Sequence, residues 1–165
     1  MIPLPLQMVE AGLRLVDADL SDGTSGNLSV RGPDGTVLLT PSSLDFRLLT
    51  ELDLVKVDLR SGEAHGRRSP SSEWRLHALA YEKRADVNAV VHHHGPWSTA
   101  AAVARITIPV VVDEAVDLGP ISTAPYAPSA SEELAQIVSD ELKTGRNGVL
   151  MANHGVVVVG HSLRE

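Results

Sequence analysis

Apolar residues recur at helical spacing over residues 6–20, with Val9, Leu13 and Val16 on one face, and this predicts a first helix. Small and turn-forming residues, Ser21-Asp22-Gly23-Thr24-Ser25-Gly26, then end it. Residues 27–31 and 36–40 read as short strands joined into a hairpin by Gly32-Pro33-Asp34-Gly35. A further strand spans residues 55–59 and closes in a turn at Ser61-Gly62. Beyond residue 70 helices alternate with strands. Pro70 marks the start of a helix opened by Ser71-Ser72-Glu73 and running to about Arg84. Residues 87–94 form a Val-rich strand, 96–103 an Ala-rich helix and 108–112 a buried strand. A helix over residues 129–143 is expected, with Ser131 three residues before Leu134 and paired acids in its first turn. Strands at 149–152 and 156–159 flank Asn153-His154-Gly155, and the chain ends in what reads as a further helical turn, Ser162-Leu163-Arg164-Glu165. Such a mixture predicts a layered sheet with helices packed on it.

Length and composition narrow the function. At 165 residues the chain is one domain, and its few aromatics (3%) leave a core of Ala, Val, Leu and Ile. The balance of 14 Lys+Arg against 21 Asp+Glu, net −7, argues against nucleic acid as a partner, because a phosphate-facing surface needs a basic patch. Residues 1–10 carry no Lys or Arg ahead of their apolar positions, unlike a secretory leader, and no apolar run approaches the ~20 residues of a membrane span. These features predict a cytoplasmic protein with no membrane contact. With zero Cys, any metal must be held by His and carboxylates.

Three of the seven histidines stand in a row, His92-His93-His94. Side chains alternate along a strand, so His92 and His94 share one face and His93 points away from it. A His-x-His pair puts two imidazoles within reach of one ion, and His154, at a reversal between two Val-rich strands, is the third candidate ligand. His65 and His161 read as surface residues. His77, one helical turn after Glu73, reads as a packing or supporting residue rather than a ligand.

Glu73 lies at a helix N-terminus, where an anion is favoured. It is either a first-turn acid or a general base beside a metal. Ser71 and Ser72 at the same start can cap the helix or hold a phosphate. Two further small polar loops, Gly23-Thr24-Ser25-Gly26-Asn27 and Thr40-Pro41-Ser42-Ser43, suit close backbone approach to phosphate oxygens. Neither carries a P-loop or dinucleotide fingerprint, and no G-x-S-x-G elbow is present.

Together these segments resemble the class II aldolase/adducin family, especially its L-fuculose-1-phosphate aldolase-like members. The matching stretches are Gly23-Thr24-Ser25-Gly26-Asn27-Leu28-Ser29, Thr40-Pro41-Ser42, Pro70-Ser71-Ser72-Glu73, Val90-Val91-His92-His93-His94 and Asn153-His154-Gly155, in family order across nearly the whole chain. The resemblance implies a three-layer α/β/α fold with a mostly antiparallel central sheet, and a homo-oligomer, a tetramer, with sites between neighbours. It implies His92, His94 and His154 as ligands of zinc or another divalent metal, and Glu73 as the catalytic acid/base. Thr24, Asn27, Ser42, Ser43, Ser71 and Ser72 fall where the family binds the substrate phosphate. The implied reaction is zinc-dependent cleavage of a ketose 1-phosphate.

Three departures stand out. Ser43 replaces a common Gly, and Asp113 stands where fuculose-type enzymes place a Tyr lent by a neighbouring subunit. The third is that family members usually continue through C-terminal helices beyond the length of this single domain, residues 1–165. Alternatives within the fold are a ribulose-phosphate 4-epimerase and a methylthioribulose-phosphate dehydratase. The related epimerases carry Asp where Glu73 stands, which favours aldolase or dehydratase. A non-catalytic adducin-like scaffold is the alternative from another class, and the intact His and Glu set argues against it.

Overall fold

A computed structural model describes residues 2–32 and 35–164. Its centre is one eight-stranded sheet. The strands are β1 (Asn27–Arg31), β2 (Val37–Leu39), β3 (Val55–Val57), β4 (Ala64–His65), β5 (Ala89–His93), β6 (Thr123–Ala124), β7 (Gly148–Met151) and β8 (Gly155–Gly160), in spatial order β4-β3-β2-β1-β5-β8-β7-β6. Every pairing is antiparallel except β6 with β7. Four helices cover it: α1 (Leu4–Asp17), α2 (Trp74–Lys83), α3 (Pro96–Ala104) and α4 (Glu132–Leu142). Leu76, Ala80, Leu134 and Val138 from α2 and α4 pack with Val90, Val149 and Val157 on one face of the sheet. On the other face Met8 and Leu15 of α1 pack with Leu28 and Val30, and Ala102 of α3 packs with Leu150 and Val156. The α/β/α sandwich expected from the sequence is therefore present. No helix among the described residues is long and apolar enough to cross a membrane.

Local chemistry explains most element ends. Ser131 accepts the Leu134 N–H, the N-cap read from the sequence, and Glu132 and Glu133 occupy the positive end of α4. The first helix begins at Leu4, two residues earlier than expected, because Pro5 in the first turn gives up only an N–H that has no helical partner anyway. β3 stops at Val57 because Asp58 accepts the N–H groups of Arg60 and Ser61, which curls the chain into the following turn. The β1–β2 hairpin forms as expected, although Pro33 and Asp34 of its turn lie outside the described residues, as does Glu165. β4 and β6, two residues each, are too short to leave a period in the sequence.

One expectation fails. Residues 108–112 are not a buried strand: Ile108 makes a single bridge to Ile121, and Val110, Val111 and Val112 are 40%, 75% and 55% exposed. Pro109 has no N–H to continue the ladder, so the chain leaves the sheet there despite three consecutive valines.

Candidate active site

β5 lies at the middle of the sheet, hydrogen-bonded to β1 on one side and β8 on the other, and its C-terminal end carries the histidines. His92 pairs across to Asn27 of β1 and Val157 of β8, and is fully buried. His93 points to the opposite face, where its Nδ1 accepts the Gly95 N–H. His154 arrives on the reversal between β7 and β8, whose Asn153 takes a left-handed φ of 59°. Gly155 must be glycine: a Cβ there would stand 2.5 Å from the His93 carbonyl oxygen and 2.9 Å from the His94 ring. Gly26 has the same role before β1, where a Cβ would lie 2.5 Å from the His92 carbonyl oxygen. The two glycines thus let both neighbouring chains close on the end of β5.

The three imidazoles of His92, His94 and His154 meet pairwise at 4.7, 4.8 and 4.9 Å between ring centroids. Although 60 residues separate His94 from His154 in sequence, one ligand atom from each ring lies within 4.8 Å of the others. His92 Nδ1 donates to the Val156 carbonyl at 2.9 Å, so its Nε2 carries a lone pair. That Nε2 faces His94 Nε2 at 2.9 Å and Glu73 Oε2 at 3.3 Å. Burial pushes the pKa of His92 and of His94 below the ordinary histidine value, which keeps the rings neutral and able to ligate. Ring nitrogens from one buried and two half-buried histidines, turned on one point beside a carboxylate, fit a divalent cation.

Glu73 is buried, immediately ahead of α2. Its carboxylate does not cap that helix but turns inward, accepting from Asn27 Nδ2 at 2.9 Å and from Ser129 Oγ at 3.3 Å, with His154 Nε2 at 3.7 Å. Burial works to raise its pKa, but the histidine imidazoles and the Asn27 bond outweigh it and hold the carboxyl below its ordinary value. Sequence reasoning did not single out Ser129, and a lone serine ahead of a capping motif carries no signal that it reaches a carboxylate 56 residues away.

The predicted phosphate loops are brought together at this end of the sheet. Pro41 and Pro70 form a bridge, Ser42 N–H donates to Ser69 O, and Ser71 N–H donates to Thr40 O, so the loops bearing Ser42, Ser43, Ser71 and Ser72 run side by side. Thr40 also bonds both backbone groups of Leu28, next to Asn27. Ser42, Ser43, Ser72 and Thr24 are exposed, whereas Ser71 is buried with its Oγ accepting the Glu73 N–H. Thr24 Oγ1 donates to Asp22 within its own loop. Asn27 differs from the rest, since both ends of its amide are engaged, one by Glu73 and the other by His77. Asp113 opens a short turn in the exposed segment after Pro109, and no hydrogen bond among the described residues joins it to Glu73 or the histidines. His65 and His161 are exposed, as expected.

A mixed sheet carrying a three-histidine cluster beside a buried carboxylate defines a candidate metalloenzyme, and the comparisons with known proteins give its family. The sequence matches the Class II Aldolase and Adducin N-terminal domain over residues 6–165, and the chain belongs to that family. It is 37% identical over 164 residues to an L-fuculose phosphate aldolase of Escherichia coli, covering 98% of this chain and 75% of the relative. A 5-methylthioribulose-1-phosphate/5-deoxyribulose-1-phosphate aldolase of Rhodospirillum rubrum is 38% identical over 159 residues, covering 95% and 71%. A solved L-fuculose 1-phosphate aldolase superposes with a TM-score of 0.89 at 34% identity, over 96% of this chain and 76% of that one. The chain is a class II aldolase, an enzyme of the lyase class.

Proposed function

We propose that this enzyme is a zinc-dependent aldolase that cleaves a ketose 1-phosphate of the fuculose 1-phosphate type to dihydroxyacetone phosphate and an aldehyde. The observation that carries the reading is the convergence of His92, His94 and His154 beside a buried carboxylate held by Asn27. The three histidines would hold the zinc, which when bound supplies Lewis-acid polarisation of the substrate's carbonyl and hydroxyl oxygens. Glu73 handles the proton. Cleavage takes a proton from the C4 hydroxyl and returns one to C3 of the dihydroxyacetone phosphate half. The ionised Glu73 receives the first, directly or through water, and as the carboxylic acid delivers it to C3, the reverse order applying in the condensing direction. Ser42, Ser43, Ser71, Ser72 and Thr24 line the phosphate end, and Asn27, whose NH2 has a second N–H beside the one given to Glu73, joins them.

A homotetramer with sites between neighbours is part of the same proposal. Its support is the exposed apolar side chains of Trp97, Val103, Ile106, Val111, Val112 and Val116, all within residues 97–116, on α3 and the segment after it. Light scattering at micromolar concentration is expected to show an oligomer, and a monomer would overturn this part of the reading.

The decisive experiment is a screen of ketose 1-phosphates with the metal-loaded enzyme, dihydroxyacetone phosphate being read by coupling to a reductase and following NADH loss. Because relatives are named for 5-deoxyribulose 1-phosphate as well as fuculose phosphate, both belong in the screen. Epimerised or dehydrated products would move the reaction class while leaving the metal site in place. Release of dihydroxyacetone phosphate from none of the substrates would overturn the aldolase assignment to this substrate class.

A further inference from the structure

Behind Glu73 lies a line of buried polar groups of which the proposed reaction uses only Asn27. Glu73, His77 and Tyr81 fall at i, i+4 and i+8 along one side of α2, and Asn27 and Ser29 fall two residues apart on the facing side of β1. Tyr81 Oη lies 2.9 Å from Ser29 Oγ, Ser29 Oγ 2.7 Å from His77 Nδ1, His77 Nε2 2.6 Å from Asn27 Oδ1, and Asn27 Nδ2 2.9 Å from Glu73 Oε2. All four supporting side chains are at most 4% exposed.

Hydrogen-bonding capacity fixes the direction of every link. An ionised carboxylate only accepts, so the Asn27 NH2 must face Glu73 and its carbonyl must face His77. The His77 proton is then on Nε2. Burial pushes the pKa of this ring down to about 4, so the ring is neutral at pH 7 and Nδ1 must accept from the Ser29 hydroxyl. The remaining capacity of Ser29 Oγ accepts the Tyr81 O–H, which burial keeps protonated. All donors therefore point toward Glu73. An asparagine amide has nearly the same shape either way round; the carboxylate favours its NH2 at one end, and the His77 N–H on its oxygen at the other end reinforces that choice and fixes the plane in which the amide meets Glu73.

We propose that His77, backed by Ser29 and Tyr81, is a positioning residue that sets the orientation of the Asn27 amide and through it the placement of the Glu73 carboxylate. The catalytic half of this inference rests on the aldolase reading. Two measurements on the full, metal-loaded chain test it. Nitrogen-15 NMR of the histidine rings, with the His77 signal identified by its loss in His77→Gln, is expected to show a neutral ring protonated on Nε2 at pH 7. In the cleavage assay, His77→Leu is expected to lower kcat about 10- to 100-fold with KM and metal content unchanged, and His77→Gln, whose side-chain NH2 can donate to Asn27, to recover most of it. A proton on Nδ1, equal kcat values for the two variants, or a loss confined to KM would each overturn the proposal. Should His77→Leu not fold, the wild-type tautomer alone decides, since a proton on Nδ1 leaves Asn27 Oδ1 without its donor. An Nε2–H ring in an enzyme that cleaves no ketose 1-phosphate supports the positioning geometry and overturns the reaction instead.

Discussion

Glu73 is the residue on which the chemistry turns, and its neighbours show why it stays charged in a buried place. Desolvation alone would neutralise it, but one oxygen takes an N–H from Asn27 and the other a hydroxyl from Ser129, with imidazoles on two sides. Glu73→Gln keeps the size and removes the titratable group. It is expected to fold normally by circular dichroism and to lose about 10²–10⁴-fold in turnover in the coupled dihydroxyacetone phosphate assay. The adjacent histidines make a sharper test of the metal site, because three consecutive positions divide between two faces of the sheet. Ala at His92, His94 or His154 is expected to strip most bound metal, measured by elemental analysis after gel filtration. His93→Ala, on the opposite face with its ring bonded to Gly95, is expected to retain it. Full occupancy after replacing His92 would remove the site from consideration.

At the scale of elements, what was legible followed from local rules. Alternation along one strand separated His93 from His92 and His94, and the N-cap of α4 was visible as Ser131 ahead of Leu134. Ser131→Ala is therefore expected to cost about 1 kcal/mol of stability, read as a shift in the urea unfolding midpoint with the activity unchanged. The convergence of His154 with the other two was legible only through its Asn-His-Gly reversal and the family pattern, because nothing local to residue 154 specifies which strand β8 joins. The buried-strand reading of residues 108–112 failed because apolar content outweighed the missing donor of Pro109. Asn27 was legible as a polar loop residue, yet its partners, Glu73 and His77, lie 46 and 50 residues away. Pairings of that kind depend on the register between β1 and α2, which no local period encodes.

At the scale of the whole molecule, the buried histidines make stability depend on pH in a definite direction. His77 is held neutral by burial, with its pKa lowered from 6.5 to about 4, whereas the unfolded chain protonates the same ring near 6.5. Between these values the unfolded state binds the extra proton, so stability rises with pH and falls as the solution is acidified from about 6.5 toward 4. The carboxylates act lower on the scale. Asp22, bonded by Ser25 and Thr24, and Asp86, bonded by Arg84, are both held down at about 2. Asp53, bonded by Thr50 and Arg68, is held further below the usual carboxylate range. Their stabilisation is present above about 3.8, the value of an unperturbed Asp, and is lost only as pH drops below it toward the folded values. The upper window therefore belongs to the histidines. Urea unfolding of the wild-type chain at pH 7, 6 and 5 is expected to show progressive destabilisation, with His77 contributing at most about 1.4 kcal/mol per pH unit. His77→Gln has no ring to protonate, so its stability is expected to change less over the same interval, by the share that His77 carries. Parallel pH profiles for the two proteins would mean that His77 titrates alike in the folded and unfolded chains, which a fully buried imidazole bonded on both nitrogens cannot do.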